Sequence, residues 1–177
     1  GDREYAHILS RLRKGRKTVV GHWQDPKTLE HIAVWQRVAA AWADSQDMRI
    51  LRFGDQMNNV AVTDGDKVEA EMRFGYHVDY VPFSTVMTYF EKVEDKAVDE
   101  LVEVYFKEYD HAPELEDKNT VEYKKVWNSA KAELTLRAVL EAYGAKAFTS
   151  NFDDLGDVNV EETGKGFDQI PGLASQR

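Results

Sequence analysis

Residues 48–57, MRILRFGDQM, constrain this chain more than any other stretch. Ile50, Leu51 and Phe53 fall close together with almost no polar alternation, the pattern of a short strand buried in a parallel sheet. The predicted strand covers residues 48–53 and runs into Gly54, where the missing Cβ permits a sharp turn. In open α/β sheets, ligands sit beyond the carboxyl ends of the strands. A strand ending at Phe53 therefore directs Asp55, Gln56 and Met57 towards a candidate site.

The rest of the chain alternates between the two periodicities. Tyr5, Ile8, Leu9 and Leu12 predict an amphipathic helix over residues 4–14. Residues 17–23, KTVVGHW, read as a first strand. Asp25 and Pro26 are an N-cap and a first helical residue, opening a helix to about Asp44. Its predicted buried stripe is Leu29, Ile32, Trp35, Val38, Ala39 and Trp42. A short helical turn is expected over residues 58–62. Residues 66–74 admit two readings: the alternation of Val68, Ala70, Met72 and Phe74 suits a strand. Asp66 as a cap, Glu69 three residues on and Gly75 as a stop favour a helix.

A third strand is expected over residues 76–81, then helices capped by Ser84, to about Val93, and by Asp95, to about Tyr109. A charged loop spans 110–118, and a long helix capped by Asn119 ends at Gly144. A fourth strand at 145–150 precedes a Gly- and Asp-rich loop, and Pro171 suits the start of a last helix. Strands alternating with helices predict a three-layer α/β sandwich, an open, mostly parallel sheet with helices on both faces, Rossmann/flavodoxin-like. The domain expectation is a preceding helical segment at 1–16, a central α/β domain at 17–155, and a loop with a following helix at 156–177.

Composition narrows the chemistry. A formal net charge of −9 would repel a nucleic-acid backbone or an anionic membrane, so neither is an expected partner. With zero cysteines there is no disulfide, thiolate metal site or cysteine nucleophile. The expected compartment is the cytoplasm, since no apolar run reaches the ~20 residues of a membrane span. His7, His22, His31, His77 and His111 show no paired ligand spacing, and Asp64-Gly-Asp66 lacks the spacing of a calcium loop. No phosphate-binding glycine loop or nucleophile elbow occurs. The residues at predicted strand ends remain: His22, Trp23 and Gln24; Asp55, Gln56 and Met57; Asp79 and Tyr80; Asn151, Phe152 and Asp153.

Four blocks carry more than their physics: VVGHWQDP (19–26), VWQRVAAAWADSQDMRILRFGDQMNNVAVTDGDKVEA (34–70), AFTSNFDDL (147–155) and IPGLASQR (170–177). Together they closely resemble the L-arabinose isomerase family, and the likeness runs over almost the whole chain. The resemblance implies an aldose–ketose isomerase that interconverts L-arabinose and L-ribulose, and more slowly D-galactose and D-tagatose. It implies Mn²⁺ as cofactor and a pair of glutamates that move a proton through an enediol. It also implies that the metal ligands and catalytic glutamates lie beyond the part that ends in IPGLASQR, so this segment alone is expected to be inactive. No catalytic or metal-ligating residue is therefore assigned here. Met57 and Phe152 match substrate-lining positions of the family, and both also lie at predicted strand ends. Family members form homo-oligomers, trimers or hexamers, with sites between subunits. A second reading stays open: a non-enzymatic flavodoxin-like sugar-binding or regulatory module.

Overall fold

A computed structural model of the chain describes residues 2–151 together with Asp154, Phe167 and Ala174. The chain forms two compact units, Gly1–Gln46 and Asp47–Arg177.

The first unit contains helices α1 (Asp2–Arg11) and α2 (Pro26–Ser45). Asp25 caps α2 as its sequence predicts, accepting hydrogen bonds from the Lys27 amide at 3.3 Å and the Thr28 hydroxyl at 2.9 Å. Pro26 follows at the first helical position, where its missing N–H costs nothing. The expected strand over residues 17–23 does not form; that stretch has no regular structure, and Val20 is exposed. A β-branched run becomes a strand only where another strand supplies a ladder and a packing surface. Among the described residues nothing pairs with it. The apolar stripe of α2 is likewise not buried: Leu29, Ile32, Trp35, Val38 and Trp42 are all exposed, and Thr28 is the one buried residue of the helix.

Among the described residues, the second unit is built on a parallel sheet of three strands rather than four, β1 (Arg49–Phe53), β2 (His77–Val81) and β3 (Ala147–Ser150), in the order β2-β1-β3. Leu51 lies opposite Asp79 on one side and Phe148 on the other, so the stretch around 51 is the sheet's centre. Leu51, Phe53 and Val81 point to one face. There they join Val86 and Phe90 of α4 (Phe83–Phe90) and Ala132, Leu136 and Val139 of α6 (Val121–Tyr143) in the main core. Ile50, Arg52, Val78 and Thr149 point to the opposite face. Asp66, Lys67 and Ala70 at the start of α3 (Lys67–Phe74) line a cavity of about 230 Å³ with them. Helices thus attend both faces, and the α/β sandwich is as the alternating pattern predicts. A second core, Val98, Val102, Tyr105, Tyr123 and Ala130, joins α5 (Asp95–Glu108) to α6. No helix of the described residues is long and apolar enough to cross a membrane.

Residues 66–74 resolve as the helix. The Asp66 carboxylate accepts from the Glu69 amide at 2.9 Å, and Gly75, at φ +80°, takes the left-handed terminus that a Cβ would disfavour. Other caps fall one or two residues from expectation. Pro82, not Ser84, precedes α4, which ends at Phe90. Glu94 precedes α5, leaving Asp95 in the first turn, where its charge suits the helix dipole. Thr120, not Asn119, caps α6 by accepting from the Tyr123 amide at 3.1 Å.

The connection between α5 and α6 contains one titratable device. Nδ1–H of His111 donates to the Tyr109 carbonyl at 3.0 Å, while Nε2 faces Glu116 Oε1 at 2.9 Å. Both ring nitrogens meet acceptors, so the protonated ring is favoured. The hydrogen bond to Tyr109, then that to Glu116, raises the His111 pKa above the ordinary imidazole value. With the folded pKa above the unfolded one, this stabilisation is complete below the unfolded pKa. It fades as pH rises through the folded pKa. An NMR titration should give His111 a higher midpoint in the folded chain than in urea. Glu116→Gln should lower that midpoint partway, leaving the Tyr109 contribution; an equal or lower midpoint in the folded chain would refute the assignment.

Candidate functional site

The carboxyl end of β1 is tied to the end of β3 by a network of polar contacts. Gly54 leaves the strand with φ +78°, a left-handed conformation that side chains rarely adopt, and its N–H donates to the Val81 carbonyl at 3.0 Å. The next amide, Asp55 N–H, donates to Asp154 Oδ2 at 2.8 Å. Asn151 Nδ2 donates to the same carboxylate oxygen at 2.7 Å and also to the Asp55 carbonyl. In return, the Asp154 amide donates to Asn151 Oδ1 at 2.7 Å. The Asp154 carboxylate packs so closely on Gly54 that a Cβ there would lie 2.5 Å from Oδ2. Glycine is therefore required at 54 both for its backbone angle and for the approach of this carboxylate.

Asp55 is occupied on its side chain as well. Its Oδ1 accepts from Arg52 at 3.1 Å and from the Gln56 amide at 2.9 Å. The Arg52 guanidinium also lies over the Tyr80 ring, 5.9 Å from the centroid. Met57 completes the turn: its N–H donates to Thr63 Oγ1 at 3.0 Å, and its carbonyl accepts from the Val60 amide at 3.2 Å. Its side chain is half-buried. An unbranched thioether in this setting offers an adaptable apolar surface, fixed at its backbone and free to adjust at its tip.

The carboxylates here act as acceptors of backbone and side-chain hydrogen bonds, which suits holding a loop in place. Among the described residues, no group of three or more His, Asp or Glu side chains could hold a metal ion. These residues do not make a Mn²⁺ site, and no step through a metal is derived from them.

Of the strand-end residues singled out in the sequence, Asp55 and Asn151 are joined beyond the carboxyl ends of β1 and β3, and Gln56 and Met57 follow Asp55 in the same turn. Asp79 and Tyr80 lie within β2, one to two residues short of its end. His22, Trp23 and Gln24 belong to the first unit and follow no strand; His22 Nδ1 accepts from the Gln24 amide at 3.2 Å. Phe152 and Asp153 lie outside the described residues. Asp154, on which the network centres, was missed. Its signal is the Asn-x-x-Asp spacing from Asn151, where a short amide side chain meets a backbone N–H three residues on.

Comparison with known proteins agrees with the division into two units. Residues 1–47 match the model of the L-arabinose isomerase N-terminal domain, and residues 49–177 that of the L-arabinose isomerase central domain. The chain is 65% identical over all 177 residues to an L-arabinose isomerase of Phocaeicola vulgatus, covering 34% of that protein. It is 64% identical to one of Bacteroides thetaiotaomicron, again over 34% of its length. A Flavobacterium johnsoniae L-arabinose isomerase is 43% identical, with 33% of it covered. The chain thus spans about a third of the length of these relatives. With the central-domain model matched over residues 49–177 and identity this high, the chain belongs to the L-arabinose isomerase family.

Proposed function

We propose that this segment works within a full-length L-arabinose isomerase, an aldose–ketose isomerase that interconverts L-arabinose with L-ribulose and D-galactose with D-tagatose. Its part is to supply one apolar wall of the sugar pocket through Met57, with Phe152 as a second contributor. The observation that carries this reading is the place of Met57: on a pinned turn beyond the carboxyl end of the central parallel strand, where α/β sheets bind ligands. A polyol presents C–H surface as well as hydroxyl groups, and a half-buried methionine suits the former. Mn²⁺ and the proton-transferring carboxylates are assigned in this proposal to the remainder of the enzyme. The homo-oligomer, trimer or hexamer, expected of the family would offer the exposed Trp35, Val38 and Trp42 of α2 a partner surface.

The test is Met57→Ala in the full-length enzyme. D-galactose carries one more carbon than L-arabinose, so removing the thioether should relax discrimination against the larger sugar. A methylene-sized change in an apolar pocket is worth about 1–3 kcal/mol. The ratio of kcat/KM for L-arabinose over D-galactose should therefore fall by about tenfold or more, with Mn²⁺ binding retained. An unchanged ratio accompanied by lower stability would mean that Met57 only packs the turn.

A further inference from the structure

Met57 makes no hydrogen bond to either neighbouring strand, yet its position is fixed from both sides of a four-residue turn. On the downstream side Thr63 holds it: Oγ1 accepts from the Met57 amide at 3.0 Å and donates to the Val60 carbonyl at 2.7 Å. On the upstream side the backbone of Asp55 is gripped at both its polar groups. Its N–H goes to Asp154 Oδ2, and its carbonyl receives Asn151 Nδ2. The two peptide units that flank the Asp55 Cα are thus each held by a hydrogen bond, and neither can rotate without breaking one, so the chain leaves Asp55 in a single direction. The grip comes from residues almost a hundred positions away in sequence, at the end of the adjacent strand β3. It also depends on Gly54, because a side chain there would occupy the space of the Asp154 carboxylate.

We infer that Asn151 and Asp154 are positioning residues for substrate discrimination, acting through the Asp55 backbone to hold Met57 against the sugar. This rests on the reading of Met57 as a pocket wall. Neither residue need touch substrate. Asp154 is the acceptor that receives two donors, and Asn151 is the link that both orients Asp154 and fixes the Asp55 carbonyl. The donor–acceptor pairing is directional. Asn151→Asp sets two carboxylates against each other, whereas the exchange Asn151→Asp with Asp154→Asn restores a donor facing an acceptor between 151 and 154 but leaves the Asp55 carbonyl without its donor.

Five variants of the full-length enzyme test the inference: Met57→Ala, Asp154→Ala, the two combined, Asn151→Asp, and the exchange Asn151→Asp/Asp154→Asn. The readouts are the ratio of kcat/KM for L-arabinose over D-galactose and the hydrogen-exchange rate of the peptide containing Asp55. Misplacing a pocket group by a fraction of an ångström to an ångström costs about ten- to a hundredfold in rate terms. Asp154→Ala and Asn151→Asp should each lower the ratio by about tenfold, as Met57→Ala does, and speed exchange at Asp55. The exchange variant removes the clash between 151 and 154 but not the loss at the Asp55 carbonyl, so it should recover the ratio and the protection only in part. In the Met57→Ala background, Asp154→Ala should lower the ratio no further, since the group it positions is gone.

If Met57→Ala shifts the ratio while Asp154→Ala and Asn151→Asp leave it unchanged, the positioning role is wrong and the pocket-wall reading survives. If Met57→Ala itself leaves the ratio unchanged, the pocket-wall reading fails and the inference falls with it. Additive effects of Met57→Ala and Asp154→Ala would show that Asp154 acts by another route, which also overturns it. Should Asp154→Ala yield too little folded protein, Asn151→Asp decides alone: a folded Asn151→Asp enzyme with the wild-type ratio and unchanged exchange at Asp55 refutes the positioning role.

Discussion

Phe53→Ala should lower the stability of the second unit by about 3–5 kcal/mol, the cost of emptying an aromatic site in a packed core. Phe53 is 1% exposed on the central strand, and its ring stacks on Phe148 of β3 with centroids 5.4 Å apart. It also belongs to the cluster that joins the sheet to α4 and α6, so the void would be lined by three elements that cannot all collapse into it. Tyr80 provides the control from the opposite face. It is 52% exposed, and Tyr80→Ala should cost well under half as much, mainly through the lost Arg52 contact. Urea denaturation distinguishes the two, as a lower midpoint at unchanged slope. A loss below about 1 kcal/mol for Phe53→Ala would contradict the assignment of this face as the main core.

The same strand shows why part of the architecture was readable and part was not. Ile50, Leu51 and Phe53 sit in a stretch too apolar to be exposed, and Gly54 must turn; both statements are local, and both hold. The caps at Asp25, Asp66 and Gly75 and the stop at Gly144 are local as well, because each is satisfied within four residues. Residues 17–23 failed for the opposite reason. Their composition suits a strand, but strand formation is decided by a neighbour that local sequence does not contain. The misplaced caps at Ser84 and Asn119 are a lesser case. Pro82 and Thr120 compete one or two residues away, and only the path of the chain selects between them. Around the candidate site, the place of Met57 in the turn after a strand was readable, whereas Asp154 was not singled out. Its partner Asp55 lies 99 positions away, and no periodicity reports such a pairing.

Helix α6 shows the same limit within one element, and it leads to the second large effect. Its sequence suggests one apolar stripe, Tyr123, Trp127, Ala130 and Leu134. In the folded unit α4 and α5 both pack on it, so Ala132, Glu133, Thr135, Leu136 and Val139 are buried as well. Glu133, only 1% exposed, is the charged residue among them. Its Oε2 accepts the Tyr105 hydroxyl at 2.6 Å, and its Oε1 meets Arg137 Nε at 2.8 Å. Glu133→Ala should cost about 2–3 kcal/mol, since the buried Tyr105 hydroxyl loses this acceptor and a void opens beside it. Arg137 adds less to that figure, because its side chain is 57% exposed and can turn to water. Glu133→Gln keeps an acceptor for Tyr105 and should cost less than Glu133→Ala. The decisive variant is Glu133→Leu with Tyr105→Phe, which removes both polar partners while keeping their volume. If the carboxylate is held chiefly by this pairing, the double variant should be closer to wild type than Glu133→Leu alone, giving a favourable coupling of about 1 kcal/mol or more. Denaturation midpoints that simply add the two single losses would show that Glu133 and Tyr105 stabilise the α5–α6 interface independently.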